Sequence, residues 1–457
     1  MIRKKQREGK KMSVKIKVNQ GILEGRDCGD YMLFCGVPYA KPPVGDLRWK
    51  APQEMEPWDG VRNAGNFQAA GVQNFPDPNN MFTGGYAKEF YSNPEFMREI
   101  SEDCLYLNIW APKDMGERPY PVAFWLHGGA FSGGFSSEIE FDGEEYCRKG
   151  VILVTVEYRL NIFGFLAHPW LDAENEEGIS GNYGILDQIA ALKWVYENIE
   201  AFGGDRDRIT VFGQSAGSMS TQVLVSSPLT EGMIAGAIMQ SGVSCSEEIL
   251  LTPTKEEEEV FGRIFVELAG VSSIEELRAL STEKIHETFG RFEGEMWKRG
   301  NGLVLVPNVD GHVLEHSVKE IWKKGEMRKI PYMLGTVTDD LGAVREDVEK
   351  KQPGILQKEC ERWTLTCEKA TGCPSYLYFF SHELPGDGWG AFHSSELWYM
   401  FGTYRRCWRP MGEEDRKLSE EMVECWTSFM KSGKPGSEGT EEWRPYKADD
   451  VYIRQFR

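Results

Sequence analysis

The sequence predicts an α/β protein built on a largely parallel sheet with helices on both faces. Three observations point there. From about residue 120, apolar runs alternate with stretches of helical spacing. The runs are apolar at consecutive positions and rich in β-branched residues, as in strands buried on both faces. Small-residue turns then follow the runs at the positions where such a sheet carries its chemistry.

Taken in order, MSVKIKV (12–18), YMLFCGV (31–37) and CLYLNIW (104–110) read as short strands. Segment 73–100, rich in Asn, Pro, Phe and Gly, reads as a long surface excursion. VAFWL (122–126) runs into His127-Gly128-Gly129, and VILVTVEY (151–158) is a second buried strand. Residues 184–199 place Ile185, Ile189, Leu192 and Val195 on one helical face, and the helix stops at Gly203-Gly204. RITVFG (208–213) is a strand, and the residues from Ala216 to 227 form a helix. GAIMQSG (236–242), PYMLGTV (331–337) and SYLYFF (375–380) are further strands. Segment 245–325, rich in Glu and Lys, predicts a helical insertion over the sheet, either a cap on the active site or a solvated subdomain. An amphipathic helix is expected over 420–433.

The chain has 457 residues, with 41% hydrophobic and 27% charged. These values fit a single globular domain over 12–457 with insertions. Residues 1–11 form a basic extension before Met12; no apolar run follows, so they do not make a signal peptide. A net charge of −19 argues against nucleic-acid and anionic-membrane partners. No stretch approaches the roughly 18 apolar residues of a membrane span. The ten cysteines contain no Cys-x-x-Cys pair. Cys360, Cys367, Cys373 and His382 cluster too loosely for a structural zinc site, so no metal is expected. Free thiols and the lack of an Asn-x-Ser/Thr sequon predict a cytoplasmic protein.

Gly213-Gln214-Ser215-Ala216-Gly217 is a G-x-S-x-G motif lying directly after a strand and directly before a helix. That context predicts the nucleophile elbow of the α/β-hydrolase fold. Side chains at the two glycines would collide with neighbouring backbone, and the sharp turn would project the Ser215 hydroxyl. The Ala216 N–H, at the helix start, would face a developing oxyanion. Gly128-Gly129-Ala130-Phe131 follows a buried strand, and small residues there let backbone N–H groups converge. Gly129 and Ala130 are the expected further donors, with Ala where a third glycine is often found. Gly128 and Gln214 are expected to support donors and nucleophile, and His127 to brace the loop.

A serine hydroxyl needs a base. Of the histidines after Ser215, His393 lies in a loop following the late strand SYLYFF; His382, at the end of that strand, reads as structural. The acid must follow a strand between Ser215 and His393, which leaves Asp339 and Asp340 after PYMLGTV. Its role is to hold the imidazole tautomer and stabilise the imidazolium.

Together these motifs resemble the type-B carboxylesterase family, which includes cholinesterases and bacterial para-nitrobenzyl esterases. The resemblance runs over FCGVPYAKPPVGDLRWKAP (34–52), SEDCLYLNIWAP (101–112), WLHGGAF (125–131), YRLNIFGFL (158–166), the long stretch 181–218, MQSG (239–242) and AFHSSELWYMFG (391–402). It implies a central, mostly parallel mixed sheet flanked by helices, and a Ser–acid–His triad of Ser215, Asp340 and His393. Asp340 is preferred to Asp339 on this ground, although the family usually has Glu. Arg48 and Glu102 match a buried ion pair of the family. Cys104 matches a cysteine that is disulfide-bonded in secreted members, but its partner would fall near Val72, so Cys104 is expected to be free. The excursion 73–100 holds no Trp, which makes a choline ester an unexpected substrate.

The reading is a serine carboxylesterase acting through an acyl-enzyme on a small-molecule ester, as a monomer or small homo-oligomer, with no cofactor. Thioesters, amides, carbamates or lactones are the alternative substrates, and a non-catalytic adhesion-like member is the alternative class.

Overall fold

The computed structural model describes residues 13–80, 83–114, 119–245, 252–436 and 438–457. The basic extension 1–11 lies outside the described residues, as do 246–251 of the expected insertion.

Runs such as YPVAFWL and ILVTV have no polar face to offer water, and the chain satisfies their backbones by stacking them side by side in one sheet. Its strands are β1 (Ser13–Val18), β2 (Gly21–Asp27), β3 (Tyr31–Pro38), β4 (Val61–Asn63), β5 (Tyr106–Pro112), β6 (Tyr120–Leu126), β7 (Ile152–Val156), β8 (Gly204–Gln214), β9 (Gly236–Gln240), β10 (Tyr332–Val337), β11 (Ser375–Phe380) and β12 (Ile453–Phe456). They lie in the order β1-β2-β3-β5-β7-β6-β8-β9-β10-β11-β12, with β4 beside β2. Pairings from β1 to β7 along this path are antiparallel, and those from β7 to β12 are parallel. The sheet is therefore mixed and mostly parallel across its centre, as the resemblance implies. One apolar core lies on each face.

Register places the chemistry. Leu126 pairs with Gly213, Gln214 with Gln240, and Gln240 with Gly335. The loops after β6, β8, β9 and β10 consequently leave the sheet at one edge, the carboxyl ends of adjacent parallel strands, where open α/β sheets hold their ligands.

The expected strand over 104–110 is displaced to 106–112. Two tight turns, Cys104 N–H to Glu102 O and Tyr106 N–H to Cys104 O, consume the start of the run. Segment 73–100 is more than a surface excursion: it contains helix α1 (Gly84–Phe90), whose Ala87, Glu89 and Phe90 are buried. The Glu89 carboxylate accepts hydrogen bonds from Trp398 Nε1 (2.9 Å), Trp408 Nε1 (2.8 Å) and Arg409 Nε (3.0 Å). Those donors fasten the excursion to the 398–409 segment, which its polar composition does not foretell.

Flanking helices are α2 (Tyr183–Asn198) and α3 (Ala216–Ser226). Within 252–325 lie four helices, α4 (Lys255–Ala269), α5 (Ile274–Ala279), α6 (Thr282–Lys298) and α7 (Val318–Lys324). Thr254 and Ser317 close capping boxes with Glu257 and Glu320, which fixes where α4 and α7 begin. Helix α8 (Ile355–Thr371) backs β10 and β11, and α9 (Glu413–Ser432) starts seven residues before the expected 420. No helix of the described residues is long and apolar enough to cross a membrane.

Arg48 and Glu102 form a two-pronged buried ion pair, Nε to Oε2 at 2.7 Å and Nη2 to Oε1 at 2.6 Å. Arg48 Nη1 also donates to the carbonyls of Arg278 (2.7 Å) and Leu280 (2.8 Å), and Thr282 Oγ1 donates to Glu102 (2.5 Å). The pair thus ties the insertion to the N-terminal part of the sheet. Arg48→Met is expected to lower unfolding free energy by about 3–5 kcal/mol, because it strands a buried carboxylate. Arg48→Met/Glu102→Leu should cost less than the two single changes summed. Denaturant unfolding of the three variants measures both, and simple additivity would contradict the coupling.

Candidate active site

The elbow between β8 and α3 is as tight as its glycines require. Ser215 sits at φ 56, ψ −125, a conformation costly for a side-chain-bearing residue. A Cβ on Gly217 would run into the Leu126 carbonyl oxygen, and one on Gly213 into the Gly217 backbone. The Ser215 N–H donates to the Gln240 carbonyl at 2.9 Å, pinning the turn to the next strand. Its side chain is half-buried and makes no hydrogen bond among the described residues.

The loop after β6 winds through three successive positive φ values, at Gly129 (103°), Ala130 (55°) and Phe131 (56°). Among the described residues, the N–H groups of Gly129, Ala130 and Ala216 donate to no protein acceptor. Two residues unanticipated from sequence brace this loop. Gln73 exchanges a pair of 2.8 Å bonds with the Gly134 N–H and carbonyl, and the Asn161 N–H donates to the Phe131 carbonyl at 2.6 Å. His127 supports the loop as expected, with its ring stacked on Tyr158 and Nδ1 2.9 Å from the Gly128 carbonyl. Burial lowers the His127 pKa to about 4, so it is neutral at ordinary pH.

Asp340 and His393 meet. His393 Nδ1 lies 2.5 Å from Asp340 Oδ1, and the other carboxylate oxygen accepts from Ser241 Oγ at 2.6 Å and from the Val337 N–H at 3.1 Å. Burial alone would raise the Asp340 pKa, but His393, Ser241 and the Val337 N–H together hold it below the ordinary carboxylate value. A carboxylate there puts the proton on Nδ1 and leaves the Nε2 lone pair free to accept. Asp339 takes a different part: its side chain is exposed, while its backbone N–H donates to the Ala391 carbonyl at 2.9 Å. That bridge ties the loop carrying His393 to the turn after β10.

Helix α1 holds the loop from the other side. Tyr86 Oη donates to the His393 carbonyl and lies 3.2 Å from Ser394 Oγ. Ser241, by contrast, lies within the MQSG match, so the sequence marked its position but not its bond to the acid.

No hydrogen bond joins Ser215 to His393 among the described residues. The Gln214 side-chain nitrogen lies 3.2 Å from His393 Nε2 and 3.5 Å from Nδ1. An atom that close to both ring nitrogens must lie over the ring face, since in the ring plane it would collide with Cε1. Gln214 therefore steadies the imidazole from one side and leaves the in-plane lone pair of Nε2 unused. Catalytic bonds of this kind are often long before substrate binds.

A cavity of about 300 Å³ opens beside the elbow, touched by Gly128, Gly129, Gln214 and Ser394. Its outer walls come from the 73–100 segment and, through Phe289 and Glu293, from α6 of the insertion. His382 is turned away, 2.9 Å from Asp415. No group of three or more His, Cys, Asp or Glu able to hold a metal occurs among the described residues.

The carboxylesterase family model matches residues 12–366 and 361–456. The chain is 34% identical to the fumonisin B1 esterase of Sphingopyxis macrogoltabida, covering 93% of this chain and 83% of that protein. It is 33% identical to the para-nitrobenzyl esterase of Bacillus subtilis, covering 90% and 88%. A solved para-nitrobenzyl esterase structure superposes with a TM-score of 0.82 at 28% identity, over 97% of this chain and 95% of that one.

Proposed function

The chain belongs to the carboxylesterase family and hydrolyses carboxylic esters, and from that premise we propose that Ser215, His393 and Asp340 carry the reaction through an acyl-enzyme. His393 Nε2 takes the hydroxyl proton as Ser215 Oγ attacks the ester carbon. The oxyanion is held by the N–H groups of Gly129, Ala130 and Ala216, each worth roughly a hundredfold to a thousandfold in rate. The imidazolium, stabilised by Asp340, gives its proton to the departing alcohol. A water then loses its proton to the same Nε2, attacks the acyl carbon and frees the acid, and the imidazolium returns the proton to Ser215.

The observation that carries this reading is the 2.5 Å contact of Asp340 with His393 Nδ1, at the sheet edge where the Ser215 elbow also emerges. Purified protein should release p-nitrophenol from p-nitrophenyl acetate or butyrate. Protein that leaves both intact would contradict it.

We also read residues 12–457 as one domain in which 245–325 serves as a cap, a view supported by Phe289 and Glu293 in the cavity wall. A cytoplasmic location is supported by ten unpaired cysteines, Cys104 among them.

A further inference from the structure

Building on the esterase reading, we propose that Tyr86 is a positioning residue for the base: its hydroxyl holds the His393–Ser394 peptide in a strained turn, and that turn aims the imidazole.

The turn is closed by the Ser395 N–H, which donates to the Phe392 carbonyl at 2.9 Å. His393 and Ser394 are therefore its two central residues. Ser394 has φ 75°, whereas His393 is not among the residues with positive φ. A positive φ at the second central position alone marks a type II turn, which ordinarily takes Gly or Asn there. Ser has a Cβ, and in a type II turn the preceding carbonyl points to the side of that Cβ and crowds it. A type I turn closes the same four residues with the central peptide turned over and no positive φ. Serine left to itself favours that alternative.

Tyr86 decides between the two. Its Oη donates to the His393 carbonyl, the oxygen of that central peptide, and lies 3.2 Å from Ser394 Oγ. Carbonyl and Oγ share the crowded side, so the bond to Tyr86 is made only while the turn is type II. Burial pushes the Tyr86 pKa up, which keeps the proton on Oη available to donate.

The donor is itself fixed. Helix α1 is anchored through Glu89 to Trp398, Trp408 and Arg409. It also runs hard against the histidine loop, where a Cβ on Gly85 would lie 2.4 Å from the Trp389 ring. Trp389 stacks on Phe392 at 4.3 Å and meets Tyr86 edge-on at 6.0 Å. On the other side of the turn, the bridge from the Asp339 N–H to the Ala391 carbonyl fixes where the loop enters. A peptide turned over between these supports tilts the Cα–Cβ bond of His393, and a shift of about 1 Å in a reacting group can cost a hundredfold in rate.

The test is a comparison across backgrounds, with kcat expressed per site titrated by diethyl p-nitrophenyl phosphate so that misfolded protein does not count. Tyr86→Phe keeps the ring on the cavity wall and removes only the hydroxyl. With p-nitrophenyl butyrate it should lower kcat by about tenfold or more and change KM by less than about twofold. The same substitution is then made together with Ser394→Gly and together with Ser394→Ala. Both remove Oγ, but only glycine takes a φ of 75° without strain. Adding Tyr86→Phe should cost no more than about threefold in the Ser394→Gly background and still about tenfold in the Ser394→Ala background.

Unchanged kcat in Tyr86→Phe would overturn the proposal, as would a loss confined to KM. Equal losses in the glycine and alanine backgrounds would overturn it too, because the hydroxyl would then act on something other than the turn. If the wild-type enzyme cleaves the ester and these results fail, only the role of Tyr86 falls. If the wild-type protein cleaves no ester, the esterase reading falls and takes this one with it.

Discussion

Ser215→Ala should lower kcat for p-nitrophenyl butyrate by roughly a millionfold, the loss seen when a serine hydrolase is deprived of its nucleophile. The residue is half-buried at a backbone conformation that the flanking glycines impose, and an alanine keeps that backbone. Its hydroxyl makes no hydrogen bond to described residues, so removing it leaves no partner stranded. Thermal unfolding should accordingly change little, within about 0.5–1 kcal/mol. The combination is diagnostic, because a general structural lesion would lower stability and activity together. Residual turnover above water would come from the N–H groups of Gly129, Ala130 and Ala216. An Ser215→Ala protein that retains even a hundredth of the wild-type rate would move the nucleophile elsewhere.

Asp340→Asn is expected to cost about ten-thousandfold in kcat, since an amide in place of the carboxylate lets the imidazole settle in the wrong tautomer. The present contacts make the reason specific. Oδ1 meets His393 Nδ1 while Oδ2 is held by Ser241 and the Val337 N–H, all of which want an acceptor. An amide can satisfy one side only, by turning its NH₂ to the other. Asp339→Asn, whose side chain is exposed and whose contribution is a backbone bond to Ala391, should cost no more than a few-fold. Steady-state kinetics on both variants ranks them. A larger loss from Asp339→Asn would reverse the assignment of the acid.

Much of this is legible in the sequence. Buried strands advertise themselves by continuous apolar runs, and the elbow by glycines at the two positions where a Cβ would strike the Leu126 carbonyl or the Gly217 backbone. Those signals are local, so β6, β7, β8, β10 and β11 fall close to their expected places. What escaped was non-local. Strand β12 has four residues with little apolar pattern and exists because β11 offers it an edge. Helix α1 is short, begins with two glycines and is held by partners hundreds of residues away, among them Trp398, Trp408 and Arg409 on the Glu89 carboxylate.

At the site the same division holds. Ser215 and His393 carry motif context, whereas Tyr86 is one aromatic residue among many in a polar segment. Its value arises only from the carbonyl it meets at His393. Glu138 and Glu140 carry no motif context, and Glu is ordinarily a solvated residue, yet both are buried here. Glu138 is held there by bonds from Tyr91 Oη and the Phe135 N–H, partners that its place in the sequence does not announce.

The measurement that bears most directly on the whole account is labelling with diethyl p-nitrophenyl phosphate followed by peptide mapping. The protein should release one equivalent of p-nitrophenol per active site in a burst and carry a diethylphosphoryl group on Ser215, with labelling strongly slowed in His393→Ala. A phosphoryl group on another residue, or a burst that His393→Ala leaves untouched, would contradict it.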